Sequence, residues 1–422
     1  MGGNTRWQRT YVLVLLMVVY IFNFIDRQIL VILQESIKAD MGLSDAQLGI
    51  LSGFAFAIFY VSFGIPIARW ADVGNRRNIV ALALAVWSGM TALCGLAQNY
   101  LQLVLARIGV GVGEAGGSPP AHSIISDYYP FAERGRALSI YSMGVFLGIL
   151  VGFLAGGWLD EFFGWRTAFL VVGVPGILLA IVVRLTIREP TRGQSDTVAE
   201  VRTDENMFGA VKKLWSLKSF RYASLGAGML TFVSYGVGNF VPSFLIRSHG
   251  LTVGEVGTYL ALTAGIGGAA GTYLGGWLSD KLGERTPCWY LWIPAVGNFV
   301  AVPLMALSLL VDAVELVIAL NFAYWITFST FLAPSIAISH GLVGASRRAL
   351  ASSVLFFVLN LIGLGLGPVS VGLLSDGLSA SLGVDSLRWA MIIACASGVV
   401  GACLYLWASR FLMDELPEGA TT

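Results

Sequence analysis

The sequence predicts an all-α membrane protein with twelve transmembrane helices arranged in two six-helix halves. Three observations support this prediction. The 422 residues are 56% hydrophobic and only 12% charged, with a mean hydropathy of +0.76, whereas soluble domains carry about a quarter charged residues. Apolar stretches of about twenty residues, long enough to cross a bilayer, recur along the chain. Finally, a short polar motif around residue 72 is repeated around residue 280.

Polar, glycine and proline residues divide the apolar sequence into candidate membrane-spanning helices. The only long polar segment runs from residue 188 to about 218, and it predicts a solvated linker with a short amphipathic helix near 207–214. The predicted domains are therefore an N-terminal six-helix bundle, 1–188, a cytoplasmic linker, 189–218, and a C-terminal six-helix bundle, 219–422. The twelve predicted spans are 11–34, 46–70, 78–97, 100–128, 136–159, 166–187, 220–247, 255–279, 287–309, 313–341, 350–376 and 389–410.

The distribution of lysine and arginine predicts the orientation of the chain in the membrane. Most basic residues fall in the even-numbered turns, the linker and the termini, while the odd-numbered turns hold only Lys38, Arg166, Arg247 and Arg388. Because cytoplasmic loops carry an excess of basic residues, both termini and the linker are expected in the cytoplasm. The expected location is the cell (inner) membrane.

An internal repeat indicates two related halves. Asp280, in the turn after the eighth span, follows Asp72, in the turn after the second span, by 208 residues, close to half of the chain. A second similarity pairs the basic segment 134–138 with 347–350. Parallel six-helix halves are one of the known transporter designs.

The repeated motif resembles the signature of the major facilitator superfamily, G-x3-D-[RK]-x-G-x-[RK], found in the turn after the second helix of each half. The resemblance implies that this turn is a cytoplasmic gating motif, and it covers nearly the whole chain. The second copy fits at every position, with Gly276, Asp280, Lys281, Gly283 and Arg285.

The first copy of the motif keeps its acid and its final bases but departs elsewhere. Ala68, Val73 and Asn75 replace the first glycine, the first base and the second glycine. The gating motif in this half is therefore expected to be altered. Asn also tolerates a left-handed turn. The gating residues assigned to this copy are Asp72, Arg76 and Arg77.

Charged residues inside predicted spans mark a candidate site. Asp26 and Arg27 interrupt the first span and Glu114 lies in the fourth, although each such charge costs roughly 2.5 to 3.5 kcal/mol on insertion scales. Asn23 lies one helical turn before them and can hydrogen-bond to either. We interpret these residues as part of an ion or substrate pathway. The alternative is a static ion pair that orders helix packing.

The fourth span combines two charges with several glycines. Arg107 and Glu114 are seven residues apart, which places them on one face of a helix, about two turns apart. Gly111 and Gly113 are expected to allow close helix packing, and Arg107 is expected to be structural, as in the resembled superfamily. A phosphate-binding loop is the competing interpretation, but no strand precedes the glycines and no Gly-Lys-Ser/Thr follows them.

Two motifs that contain these charges resemble the Spinster branch of the superfamily, the sphingolipid and lysophospholipid transporters. Residues 22–27, Phe-Asn-Phe-Ile-Asp-Arg, are similar to its first-helix motif, and residues 107–115 are similar to its R-x3-G-x-G-E-A. The resemblance implies a proton-linked, alternating-access carrier of an amphipathic lipid. We expect Glu114 and Asp26 to carry the coupling proton, Arg27 to hold an anionic group, and Asn23 to assist in binding.

The C-terminal half has no comparable charge inside its spans. We therefore expect an asymmetric site, with the substrate's headgroup at Arg27 and its tail along Phe240, Phe244 and Phe331. Packing or lipid contact is the alternative role for these aromatic residues. His122 and His340 are predicted to make local hydrogen bonds.

Other functional classes are less consistent with the sequence. A proton-linked carrier of a small polar solute or drug is the nearest alternative, followed by a membrane sensor, a membrane enzyme and a channel. The sequence shows no metal cluster, cofactor motif or nucleophile–base pairing, and its net charge of +1 does not suggest a nucleic-acid partner. The expected partners are membrane lipids, protons and a small amphipathic substrate, and we expect a monomer.

Overall fold

The computed structural model of the protein describes residues 6–193, 207–343 and 347–416, and these residues form helices and turns without a β-strand. The first nine α-helices are α1 (Arg6–Ile32), α2 (Gln34–Met41), α3 (Asp45–Gly49), α4 (Ala55–Val73), α5 (Arg76–Cys94), α6 (Tyr100–Glu114), α7 (Ser118–Tyr128), α8 (Phe131–Phe163) and α9 (Trp165–Thr186). The following ten are α10 (Met207–Ser216), α11 (Lys218–His249), α12 (Val253–Leu260), α13 (Gly268–Gly283), α14 (Trp289–Ser308), α15 (Val314–Phe328), α16 (Leu332–Gly341), α17 (Arg348–Leu359), α18 (Gly367–Leu382) and α19 (Ser386–Glu415).

Several neighbouring helices are joined by short irregular turns rather than by loops. A π-helical turn links α3 to α4 at Ile50–Phe54, α12 to α13 at Ala261–Gly267, and α17 to α18 at Asn360–Leu366. Such turns leave the normal hydrogen-bond ladder locally, and they occur often at functional positions. Tighter 3₁₀ turns at Ser329–Phe331 and Gly383–Asp385 connect α15 to α16 and α18 to α19.

Nine stretches of the described residues are long and apolar enough to cross a membrane, judged by length and composition. One of them, Leu350–Glu415, is 66 residues long and contains two of the predicted spans. The predicted spans 100–128 and 255–279 are absent from the nine. In the first, α6 ends at Glu114 and α7 begins at Ser118, next to two prolines that cannot donate a helical hydrogen bond.

The predicted linker, 189–218, falls partly on residues 194–206, which lie outside the described residues. Its predicted short helix is present as α10, and Leu214 on that helix is buried. The predicted division into two six-helix halves stays a prediction.

Contacts between residues divide the chain into two compact units. Unit 1 contains Met1–Leu43, Ala55–Arg202 and Thr252–Ala261, and unit 2 contains Ser44–Phe54, Thr203–Leu251 and Leu262–Thr422. Each unit is therefore completed by one short segment from elsewhere in the sequence. In both cases that segment begins a helix, α3 in unit 2 and α12 in unit 1.

The beginning of α3 is fixed in unit 2 by charged residues. The carboxylate of Asp376 accepts hydrogen bonds from the backbone N–H groups of Asp45 and Ala46, at 3.0 and 2.9 Å. Arg247 donates both terminal nitrogens to the Asp45 carboxylate, at 2.7 and 2.8 Å. Gly372 packs so closely on the carbonyl oxygen of Asp45 that a Cβ atom would collide with it. A carboxylate at a helix N-terminus satisfies donors that have no partner inside the helix.

The beginning of α12 is fixed in unit 1 by corresponding residues. Glu161 accepts a hydrogen bond from the backbone N–H of Gly254 at 2.8 Å, and a Cβ atom on Gly157 would lie 2.6 Å from the carbonyl oxygen of Val253. Val253 and Gly254 follow Asp45 and Ala46 by 208 residues, and the glycine and acid of unit 2 follow those of unit 1 by 215. We call these two arrangements the capping contacts.

We predict that Asp376→Asn destabilises the protein by about 1–3 kcal/mol, because an amide accepts one of the two backbone N–H groups and presents its own N–H₂ to the other. The measurement is the midpoint of thermal unfolding of the purified protein in detergent. Glu284→Gln, a change at an exposed carboxylate, serves as the control and should leave the midpoint unchanged. Equal midpoints for the two variants would show that the Asp376 cap contributes no stability.

Candidate functional site

The polar residues of α1 point into unit 1 rather than away from it. Asn23 and Asp26 are 4% and 2% exposed, and the side chain of Arg27 is 14% exposed. The rest of this helix is apolar, with a buried series that includes Leu16, Val19 and Ile29. The charges therefore lie inside a packed apolar environment, where an unpaired charge is costly.

Helix α6 brings a second acid and a second base to the same region. Arg107 and Glu114 are 2% and 1% exposed, and they lie on one face of the helix, as their spacing predicts. The helix ends directly after Glu114 in a tight turn, in which the N–H of Gly117 donates to the carbonyl oxygen of Glu114 at 3.0 Å. Glu114 is thus the last residue of a helix that stops inside the unit.

Arg27 and Glu114 form a buried ion pair. The Nε atom of Arg27 donates to Oε2 of Glu114 at 2.8 Å, and the Glu114 side chain is fully buried. Asn23 lies beside the same carboxylate. The other oxygen, Oε1, is buried and has no hydrogen-bond partner within the described residues. The sequence indicated Arg27 and Glu114 as site residues because charge inside a membrane span is costly. The structure brings these two residues into contact.

Asp26 and Arg107 extend the pair into a cluster of two acids and two bases. The guanidinium of Arg107 donates to the backbone carbonyl of Asp26 at 3.4 Å, and Thr91 lies beside the Asp26 carboxylate. The Oδ1 atom of Asp26 is buried, and the part of the chain that the structure describes gives it no hydrogen-bond donor. The cluster is formally neutral, yet each of its carboxylates retains one oxygen that a proton could occupy.

Aromatic rings surround the guanidinium of Arg27. Its Cζ atom lies 5.2 Å from the ring centre of Phe24, 4.9 Å from that of Phe56 and 5.1 Å from that of Tyr60. Phe56 also contacts Arg107, at 5.7 Å. A cation over an aromatic face gains about 0.5–2 kcal/mol, more when water is excluded. Phe56 and Tyr60 were not predicted as site residues, because aromatic residues four apart in an apolar span are usually packing residues.

The glycines of α6 allow this close arrangement. A Cβ atom on Gly111 would lie 2.7 Å from the carbonyl oxygen of Phe56, and one on Gly113 would lie 2.7 Å from the backbone nitrogen of Trp87. Both atoms belong to the backbone and cannot move aside as a side chain can. The geometry is consistent with the structural role predicted for these two glycines.

The predicted aromatic wall lies in unit 2. Phe240, Phe244 and Phe331 are 0%, 1% and 4% exposed. Phe244 contacts the ring of His249 at 5.1 Å, and Phe331 contacts Phe328 at 5.3 Å. All three side chains are buried, and their assignment to the substrate stays a prediction.

The first copy of the gating motif is a buried ion-pair network inside unit 1. Arg76 is 1% exposed, forms a short salt bridge with Asp127, and donates to Glu189 at 2.8 Å. The other oxygen of Glu189 accepts the backbone N–H of Arg77 at 2.8 Å. Asp72, the acid of the motif, is exposed. The partners of the buried Arg76 are therefore Asp127 and Glu189 rather than the acid of the motif, and the sequence pattern did not indicate them.

The second copy of the motif is more exposed. Asp280 accepts a hydrogen bond from the hydroxyl of Tyr290 at 2.8 Å, and Lys281 lies over the ring of Trp277 at 4.9 Å. A Cβ atom on Gly283 would collide with the ring of Tyr290, so glycine fits here because the ring packs on its backbone. The remaining motif residues are Gly276, near Ala333, and Arg285, whose backbone N–H closes the turn onto Leu282.

Comparisons with known proteins identify relatives over almost the full chain. The profile of the Major Facilitator Superfamily matches residues 16–333. An MFS-type efflux pump of Mycolicibacterium smegmatis is 36% identical over 99% of this chain and 96% of its own length. A cis,cis-muconate transport protein of Acinetobacter baylyi is 28% identical, over 83% of each chain.

A solved structure has the same fold. The crystal structure of a bacterial homolog to the human lysosomal transporter Spinster, inward-facing and unoccupied, is 35% identical, with a TM-score of 0.90. The match covers 98% of this chain and 100% of that one.

We predict that Gly111→Ala destabilises the protein by about 1–3 kcal/mol, because the added methyl group displaces the backbone that carries Phe56. Gly109→Ala is the matched control on the same helix, since its methyl group meets only the flexible side chain of Met90. The measurement is thermal unfolding in detergent. The packing argument is wrong if the two variants unfold at the same temperature.

We predict that Arg76→Gln costs about 3–5 kcal/mol, because it leaves the carboxylates of Asp127 and Glu189 without their buried cation. Lys281→Gln, in the exposed second copy, should change stability by less than about 0.5 kcal/mol. Denaturant titration of the two purified variants beside the wild-type protein tests this contrast. A similar loss in both variants would contradict the assignment of buried and exposed roles.

Proposed function

The chain belongs to the Spinster branch of the major facilitator superfamily of transporters, and from this premise we propose that it works as a secondary active transporter by alternating access. The proposed architecture has twelve membrane-spanning helices in two six-helix halves, with the substrate site inside the membrane. A carrier needs charged residues inside the membrane for its ion or substrate pathway, whereas a simple membrane anchor does not. The proposal rests on the buried ion pair between Arg27 and Glu114.

Transport is proposed to be linked to protons through Glu114 and Asp26. Glu114 shares one cation, Arg27, with any anion that enters the site. When an anionic substrate group binds Arg27, the Glu114 carboxylate loses part of its compensation, and a proton then removes the uncompensated buried charge. Asp26 lies in the same cluster and has an oxygen available for a proton. The substrate anion and the Glu114 carboxylate thus compete for the guanidinium of Arg27, and this competition couples binding of the anion to uptake of a proton.

The proposed substrate is an amphipathic lipid such as a lysophospholipid or a molecule similar to sphingosine 1-phosphate. Its anionic headgroup would lie at Arg27 with Asn23 beside it, and its tail would follow Phe240, Phe244 and Phe331 in another conformation of the carrier. The aromatic rings around Arg27 suit an organic anion with an apolar part. The resemblance of residues 22–27 and 107–115 to motifs of the Spinster branch supports a lipid.

A small organic anion is the second candidate substrate. The relative named for cis,cis-muconate, a dicarboxylate, favours this alternative, and Arg27 would bind a carboxylate as readily as a phosphate. A non-transporting sensor is a weaker alternative, because the buried ion pair and the gating motifs would then have no use.

The protein is proposed to lie in the cell (inner) membrane with both termini in the cytoplasm, as the distribution of lysine and arginine indicates. Apolar residues such as Trp70, Leu105 and Leu178 are exposed on the described surface, as expected for helices that contact lipid. A monomer is proposed as the working state.

We predict that Glu114→Gln and Asp26→Asn each abolish proton-driven uptake of a radiolabelled lysophospholipid into liposomes. Each change removes a carboxylate that takes up the coupling proton, while it keeps the shape of the side chain. Substrate exchange without a pH gradient should survive in at least one variant.

Glu133→Gln is the control, since this carboxylate is 61% exposed and lies 3.9 Å from Arg9. Wild-type proton-driven flux in both site variants would show that coupling uses other groups. Uptake of muconate but not of lysophospholipid by the wild-type protein would replace the lipid with the small anion.

A further inference from the structure

A partly open cavity lies in unit 2, between α10 and the residues that follow α16 and begin α17. Its volume is about 160 Å³. Most of the lining is apolar, and it includes Leu214 and Leu217 from one side and Leu350 from the other. Two cations, Lys213 and Arg347, complete the lining, and among the described residues no carboxylate contributes to it. The cavity is therefore greasy and positively charged.

Helix α10 presents one side to this cavity. Ala210, Lys213, Leu214 and Leu217 recur at intervals of three and four residues, which places them on the same side of a helix. Leu214 is buried, whereas Lys213 is exposed, so the ammonium group lies at the open edge of the cavity. The neighbouring Lys212 is also exposed but does not line the cavity. The two adjacent lysines thus have different surroundings.

Helix α10 also directly precedes a helix that is long and apolar enough to cross a membrane. Leu217 alone separates α10 from that helix, Lys218–His249. Trp215 is half-buried, and its ring lies 6.5 Å from that of Phe220. Tryptophan is enriched at membrane surfaces, and basic residues next to a membrane-spanning helix attract anionic lipids. We therefore expect α10 to lie at the membrane surface.

The size and chemistry of the cavity limit what it can hold. An apolar cavity of about 150 Å³ holds one benzene molecule, so a cavity of about 160 Å³ takes a small group rather than a whole lipid or nucleotide. Arginine binds phosphate oxygens with a fork of donors, and lysine binds them as a point charge. The leucines favour a phosphate that is attached to an apolar body over a free, fully hydrated anion.

We propose that this cavity binds the phosphate of an anionic phospholipid from the surrounding membrane. Lys213 and Arg347 contact the phosphate oxygens, and the leucines contact the adjoining carbon atoms. The bound headgroup contacts α10 and the start of α17 together, and it therefore holds α10 against unit 2. The lipid is a resident ligand in unit 2, separate from the transported substrate proposed to bind at Arg27 in unit 1. The repeated basic segment 347–350 thereby contributes one of the two cations.

The test measures the midpoint of thermal unfolding of the delipidated, full-length protein in detergent, with and without added ligand. A ligand that binds only the folded state raises the midpoint. The probes are dioleoyl phosphatidylglycerol, which is anionic, dioleoyl phosphatidylcholine, which has the same chains without net charge, and glycerol 3-phosphate, which has no chains. We expect phosphatidylglycerol to raise the midpoint, and each of the other two to raise it by less than half as much.

Lys213→Gln and Arg347→Gln are expected to weaken binding of phosphatidylglycerol about 5- to 10-fold, because each removes one cation from the headgroup. The affinity is measured as the lipid concentration that gives half of the full shift. Lys212→Gln is the matched control, since it removes the same charge from the adjacent residue, and its affinity should stay within about two-fold of the wild type. Each shift is taken from the midpoint of the same variant without lipid, so that altered stability of a variant does not enter.

Hydrogen exchange provides a second measurement. Phosphatidylglycerol should slow amide exchange over 209–217 in the wild-type protein and in Lys212→Gln, but not in Lys213→Gln. Equal weakening in Lys212→Gln and Lys213→Gln would reveal a general attraction between charges and would overturn the proposed site. Unchanged affinity in both Lys213→Gln and Arg347→Gln would place the lipid elsewhere, including at Arg27. A shift with glycerol 3-phosphate as large as that with phosphatidylglycerol would show that the ligand is a free phosphate and not a lipid.

Discussion

The burial of four charges in unit 1 is the constraint on which the site depends. Arg107, Asp26 and Glu114 are buried and Arg27 is largely buried, and each is tolerated because another charge or a backbone group lies beside it. The glycines of α6 pack on the backbone of Phe56 in α4 and of Trp87 in α5, and Glu114 at the end of α6 contacts Arg27 of α1. An interaction of this kind is sensitive to any ligand that offers a competing charge, and this sensitivity is what a coupled carrier needs.

The charged residues of the candidate site stand out in the sequence, because charge inside an apolar span has few explanations. Asp26, Arg27 and Glu114 were singled out from cost alone, and the structure places them together. The aromatic part was less predictable. Phe56 and Tyr60 enclose Arg27, yet in sequence they are indistinguishable from the many aromatic residues that only pack.

The helical character of the chain was also predictable from composition, whereas helix interruptions were less so. The predicted span 100–128 ran through Pro119 and Pro120, whereas the structure breaks it between α6 and α7, and nothing in the apolar pattern of Ala261–Gly267 indicated a π-helical turn there. Partners distant in sequence were the hardest to predict. The burial of Arg76 between Asp127 and Glu189 joins residues that are far apart in the sequence, and no local pattern indicated these partners.

The two capping contacts bear on how the chain arose. Gly157 and Glu161 hold the beginning of α12, and Gly372 and Asp376 hold the beginning of α3, at matching positions of the internal repeat. In a symmetric homodimer, site i of the first copy contacts site j of the second, and site j of the first copy contacts site i of the second. The two capping contacts have this arrangement. A single ancestral chain of about half this length, with one glycine and one acid at this spacing, would satisfy both helix ends by pairing with itself. Gene duplication and fusion would then retain the contact twice without any new residue.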